Sequence, residues 1–221
     1  LDEIKPVLID EIRLTIYQEI LSFKQIDDII YESFFLEIEN TTKFFNFILF
    51  IFSLKEEENK SNALLKMGDV YYFGRGVVQQ NYLNAKYYEL SSKLKNSIAL
   101  IKLGNLFENG LGVQRDYLKA KYYYEQSAKL NDSNALINLG NLFENGLGVE
   151  QNYSKAKEYY EKSVSLNNSE GLNNLAYLYY HGLGVKQNYT KSIELYELSA
   201  EQNNPEALDN LGYIYKNGIG V

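Results

Sequence analysis

A chain of 221 residues that is 45% hydrophobic and 23% charged carries enough apolar side chain to bury a core, which excludes a disordered polymer. Its formal net charge of -7, with no extended basic tract, disfavours a phosphate-neutralising grip on nucleic acid or on an anionic membrane. The absence of Cys removes disulfides, thiolate nucleophiles and zinc-thiolate sites together, and is compatible with a reducing compartment.

Residues 1–58 show no repeat signature but read as helical. Ile4, Leu8, Ile12, Ile16 and Ile20 recur four apart, and a second apolar pattern runs from Ile26 to Leu36. The stretch Phe44 to Leu54 is nearly all apolar, yet it falls well short of the ~20 residues needed to span a bilayer. A helical cap for the C-terminal part of the chain, or the end of a preceding domain, is the expectation. The charged run Lys55 to Lys60 marks a boundary, and its Glu56/Glu57 pair reads as a solvated surface rather than an acid-base couple.

Residues 59–221 are periodic. Ala99-Leu-Ile-Lys-Leu-Gly104-Asn-Leu-Phe-Glu-Asn-Gly110-Leu-Gly112-Val113 is nearly repeated from Ala135 to Val149, a spacing of 36 residues. Ala63, Ala99, Ala135, Gly171 and Ala207 begin five units, of which the last is truncated at Val221. With its start on Leu1, the chain reads as a piece of a longer protein. Such self-similarity predicts an all-α solenoid of about four and a half helix-turn-helix units.

Within a unit, Ala135, Leu136, Leu139, Gly140, Leu142 and Phe143 form one apolar stripe at the helical period, here called helix A. A mid-helix Gly costs about 1 kcal/mol relative to Ala. Gly68, Gly104, Gly140 and Gly212 therefore demand a compensating close approach of another helix, and Ala176 in the same slot points to smallness. The Gly-x-Gly-Val turns come next, at Gly74/Gly76, Gly110/Gly112, Gly146/Gly148, Gly182/Gly184 and Gly218/Gly220. The first Gly is expected to end helix A in the left-handed conformation, the second to loosen the reversal, and the Val to plug the gap between helices. Asp116, Asn152 and Asn188 then stand as N-caps of helix B, whose inner face is Ala156, Tyr159, Tyr160 and Ser163. The first unit slips by one residue between Val77 and Tyr87, within its turn.

These residues resemble the Sel1-like repeat, a relative of the tetratricopeptide repeat, with its order of Ala, Leu-Gly, Tyr, Gly-x-Gly-Val, Lys-Ala, Tyr-Tyr and Ala. The match covers roughly residues 61 to 221. Phe107 and Phe143 replace the Tyr of helix A, and Ser92, Ser127 and Ser163 stand near the usual Ala-Ala. The resemblance implies a right-handed superhelical scaffold or adaptor without enzymatic activity. Relatives of this kind include subunits of endoplasmic-reticulum ubiquitin ligases, regulators of cell-wall synthesis and arrays fused to kinases. Cysteine-rich bacterial relatives with penicillin-binding or hydrolytic activity are a branch from which this Cys-free chain departs. The cytoplasm is the favoured location. The endoplasmic-reticulum lumen is the alternative, supported by sequons at Asn40, Asn59, Asn131, Asn152, Asn167 and Asn188, four of which are duplicates one repeat apart.

No enzyme constellation stands out. Gly-x-Gly here lies between helices, whereas a dinucleotide loop needs a third Gly and a preceding strand. His181, the single His, fills the slot of Asn109 and Asn145 and reads as a polar helix end. The 21 Tyr recur at core slots rather than as a base-stacking platform. No cofactor, metal or small-molecule substrate is expected. The partner is expected to be a protein or peptide, gripped by the helix A positions off the apolar stripe. Those positions are Lys66/Asp69, Lys102/Asn105, Asn138/Asn141, Asn174/Tyr177 and Asn210/Tyr213, a ladder that would face the concave side by similarity to tetratricopeptide arrays.

Overall fold

The structure is a computed structural model that describes residues 57–73 and 86–220. The expected cap helices of residues 1–56, the Phe44 to Leu54 run and the first Gly-x-Gly turn lie outside the described residues. The chain divides into two units, Leu1–Tyr87 and Tyr88–Val221. In the first, α1 (Glu57–Phe73) buries Ala63, Leu64 and Leu65. Helix α2 (Lys86–Lys93) crosses the division.

The second unit continues as α3 (Ser97–Asn109), α4 (Tyr117–Ala128), α5 (Ser133–Asn145), α6 (Tyr153–Ser165), α7 (Ser169–His181), α8 (Tyr189–Glu201) and α9 (Pro205–Lys216). There are no strands among the described residues. Helices A are α3, α5, α7 and α9, and helices B are α4, α6 and α8. Each helix A packs on its own helix B, and each helix B on the next helix A. That alternation is the all-α repeat fold anticipated from the period.

The core of each repeat is one Tyr. Tyr88, Tyr124, Tyr160 and Tyr196 stand 36 residues apart and are all buried. Tyr124 explains Gly104: a Cβ there would sit 2.2 Å from the ring, and one at Gly140 would sit 2.3 Å from Tyr160. The expected close approach is therefore a phenol ring lying across the helix A backbone. Beside it, Phe107 stacks on Tyr123 and Phe143 on Tyr159, with centroids 5.6 and 5.7 Å apart.

A buried Ser ties the two helices of a repeat together. Ser127, Ser163 and Ser199 donate to the carbonyls of Ser97, Ser133 and Ser169 in the first turn of helix A. In the repeat before these, Ser91 fills the fully buried slot. Ser92, singled out from sequence, instead donates to the Glu89 carbonyl within its own helix.

Gly110, Gly146 and Gly182 end helices A at φ near 68, 66 and 70°, as anticipated. The second Gly does more than loosen the reversal. Gly148 and Gly184 are also left-handed, and an added Cβ would meet the Cβ of Tyr117 at 2.5 Å or of Tyr153 at 2.7 Å. Gly148, Gly184 and Gly220 are thus where a turn seats on the helix B of the repeat before it. Val149 packs against the core as expected. Asp116, Asn152 and Asn188 are the N-caps of helix B, accepting from the N–H of Lys119, Lys155 and Lys191.

The return from helix B to the next helix A is left-handed at Lys95, Asn131, Asn167 and Asn203, and is followed by the caps Asn96, Asp132, Asn168 and Asn204. Asn is the residue that tolerates this conformation best after Gly, which accounts for much of the Asn-rich composition. Two duplicated sequon positions, Asn131 and Asn167, are among these turn residues, and the other two, Asn152 and Asn188, are the caps described above.

Candidate functional site

One groove of about 390 Å³ crosses three successive helices A. Asn141, Glu144 and Asn145 of α5, Asn173, Asn174 and Tyr177 of α7, and Glu206 and Asn210 of α9 line it. Residues three and four apart share a helical face, so each helix presents one polar patch beside its apolar stripe. The pairing of A on B and B on A then sets these patches side by side.

Of the residues anticipated from sequence, Asn141, Asn174, Tyr177 and Asn210 are brought together here. Lys102, Asn105, Asn138 and Tyr213 lie on helices A of the same unit but outside this groove, and Lys66 and Asp69 are on α1. Glu144, Asn145, Asn173 and Glu206 were not anticipated. Asn173 carried a signal: its slot is Ile101 and Ile137 in the preceding repeats, so a buried amide stands where an apolar side chain is the rule.

That amide organises the groove. Asn173 Nδ2 donates to Glu206 Oε2 at 3.1 Å and to Asn174 Oδ1 at 3.3 Å, while its Oδ1 accepts from Asn210 Nδ2 at 3.1 Å. A buried amide is costly unless paired, so this network satisfies Asn173 and links α7 to α9 at once.

Asn141 has a structural duty as well as a lining one. The Tyr160 hydroxyl lies 2.7 Å from Asn141 Oδ1 and 2.6 Å from Glu144 Oε2, which share its one proton, and Tyr124 meets Asn105 and Glu108 in the same way. Burial first, then the bond to the carboxylate, push both phenols far above their ordinary range, so they stay protonated donors. In the next repeat Tyr177 and Tyr180 replace the Asn and Glu acceptors. Tyr177, 40% exposed, packs against His181 with centroids 4.3 Å apart.

Electrostatically the groove is acidic. Glu170, in the first turn of α7, has its carboxyl raised by partial desolvation and then by the nearby Glu206 carboxylate. Among the described residues no cluster of His, Cys, Asp and Glu has the makings of a metal site, and no helix is long and apolar enough to cross a membrane.

The model of the Sel1 repeat matches residues 61–94, 97–132, 133–168, 169–204 and 205–221. The chain belongs to the Sel1 repeat family. It is similar to the crystal structure of a protective antigen of uropathogenic Escherichia coli that displays an SLR fold, with 31% identity, a TM-score of 0.64 and 74% of this chain covered. The Sel1 chain spans 36% of the length of that antigen. A Sel1 repeat protein from Oxalobacter formigenes shares the fold at 23% identity and a TM-score of 0.69, covering 96% of this chain and 91% of its own. Comparison with curated protein sequences gives no significant match. Sel1 repeats generally serve as protein-interaction scaffolds.

Proposed function

We propose that this Sel1 array is a non-enzymatic scaffold that binds an extended segment of another protein in the groove across α5, α7 and α9. The observation that carries this reading is the lining itself: all eight residues come from three consecutive helices A. Successive repeats would then grip successive parts of one ligand, as repeat surfaces do. An extended ligand suits an amide-rich wall, because its main-chain N–H and C=O groups are unpaired and an Asn side chain offers both a donor and an acceptor. The adaptor role in a luminal ubiquitin-ligase complex, implied by family resemblance, has no groove residue in its particular favour, so the general scaffold reading is preferred.

A photo-crosslinking amino acid placed at Asn145, inside the groove, is expected to capture the partner in the native host, whereas one at Glu158 on the exposed face of α6 is not. Binding of the captured partner should then fall about tenfold or more with Asn174→Ala plus Tyr177→Ala while circular dichroism is unchanged. This pair is a cleaner probe than one containing Asn141→Ala, which also removes an acceptor from the buried Tyr160 hydroxyl. Equal crosslinking at both positions, or affinity indifferent to the Asn174 and Tyr177 changes, would place the partner elsewhere.

A further inference from the structure

We infer that the ligand of this groove is a basic extended peptide, one whose Lys or Arg side chains meet Glu144 and Glu206 while its main chain runs across the Asn side chains. The inference rests on the groove being the binding face and names the chemistry of what it takes.

The first support is how charge is sorted between the two kinds of helix. The three helices that form the groove carry four carboxylates, Glu144, Glu170, Glu206 and Asp209, against one Lys, Lys216. In the second unit, Lys102 of α3 and Lys216 of α9 are the cations on helices A, and the others stand on helices B or in turns. The ion pairs of the second unit, Lys119 with Asp116, Lys121 with Glu125, Lys157 with Glu161 and Lys191 with Glu194, all belong to helices B or their caps. None of them reaches Glu144, Glu170 or Glu206, so these carboxylates have no cation partner among the described residues. Glu170, on α7 but outside the lining, has its carboxyl raised first by burial and then by the Glu206 carboxylate.

Donor and acceptor counts point the same way. Glu206 accepts from Asn173, and Glu144 from Tyr160, but a carboxylate has about four acceptor sites, so each keeps capacity. Asn145 donates to the Asn141 carbonyl and Asn210 to Asn173, which uses one of the two N–H donors of each amide and neither lone pair of its Oδ1. Asn174 receives a bond at Oδ1 and keeps its Nδ2. The wall is therefore richer in acceptors than in donors, and its complement is a donor-rich chain. Ammonium and guanidinium groups donate without accepting, and an acidic peptide or a phosphate-bearing ligand is the reverse. The half-exposed ring of Tyr177 gives the aliphatic stem of such a side chain a surface to lie on. A groove of about 390 Å³ holds a few residues of an extended chain.

The test uses the 221-residue chain and short end-blocked, fluorescein-labelled peptides in which Ser alternates with Lys, with Glu or with Asn, read by fluorescence anisotropy at about 0.15 M salt. The Lys peptide is expected to bind about tenfold or more tighter than the Asn peptide. Glu144→Gln with Glu206→Gln, which keeps one carbonyl oxygen at each position to accept from Tyr160 and Asn173, should erase that preference. Glu158→Gln with Glu201→Gln, the same charge change on exposed helix B positions, should leave it. If circular dichroism shows the first pair unfolded, Asn174→Lys, which puts a cation in the groove, decides instead and should abolish Lys-peptide binding.

No preference for Lys, or an equal loss in both Gln pairs, overturns the inference, the latter showing only attraction to a chain of net charge -7. If the Asn or Glu peptide binds and is weakened by Asn174→Ala plus Tyr177→Ala while the Lys peptide is not, the groove stands and its basic ligand falls. If that pair weakens none of the three peptides, both readings fall.

Discussion

Gly140 and Gly212 occupy the same slot of helix A in different surroundings. An added Cβ at Gly140 runs into the buried ring of Tyr160, whereas one at Gly212 meets nothing within 4 Å. The ring at Gly140 is closed in on all sides, so it cannot step aside cheaply. Gly140→Ala should therefore destabilise the chain by about 1–3 kcal/mol through overpacking. In the 221-residue chain, where no ring lies against it, Gly212→Ala should instead stabilise by up to about 1 kcal/mol, because only the helix propensity of Gly remains. Urea midpoints of the two variants should move in opposite directions, and a shared direction would mean that the slot is not defined by the helix B phenol. The demand for smallness was legible in the sequence from Ala176 filling the same slot, but the identity of the neighbour was not, since nothing local pairs Gly140 with Tyr160. The groove residues divide the same way. Asn141, Asn174 and Asn210 showed themselves by their repeat, while Glu144 and Asn145 needed one further helical turn to be followed. Asn105 and Asn141 read as free ligands from sequence because the hydroxyls that donate to them lie 19 residues downstream, on helix B.

Turns record the fold more openly than helices do. The Gly-x-Gly pair and the Asx caps gave the helix ends directly, because a left-handed backbone and an unpaired helix N-terminus each restrict the residue types that fit. The second Gly was harder to read, since its reason is a contact with the preceding helix B rather than its own turn. The return turn from helix B was missed for a related reason: Asn at Asn131, Asn167 and Asn203 passes for loop polarity until φ near 60° shows what it supplies. Lys95 stands in that slot with φ 59°, where a side chain without Asn's local hydrogen bonding is strained by about 1 kcal/mol. Lys95→Asn should accordingly raise stability by some tenths of a kcal/mol up to about 1 kcal/mol. Thermal melts would show it as a higher midpoint, and a lower midpoint would mean that the Lys side chain does more there than occupy the turn.

In a stacked array each helix draws its stability from the neighbours on either side, so protection against unfolding should follow the number of packed faces. Helix α5 lies between α4 and α6, whereas among the described helices α9 packs chiefly on α8. The difference is visible slot by slot. Phe143 is 7% exposed and its counterpart Tyr215 is 49%, and Leu172 is 6% exposed where Leu208 is 54%. Tyr215 keeps a bond to Glu197 of α8, but that bond lies in solvent and adds little. In the 221-residue chain, helix α9 should therefore open by itself at a free energy well below that of the rest of the unit. Native-state hydrogen exchange of the 221-residue chain is expected to show α9 amides exchanging on the order of a hundredfold faster than those of α5, a gap of roughly 3 kcal/mol. Asn210 and Glu206 are on α9, so a ligand that bridges it to α7 should slow exchange in α9 more than in α5. Protection equal in α5 and α9 without ligand would mean that the unit unfolds as one cooperative body, and the coupling of groove occupancy to helix order would be lost with it.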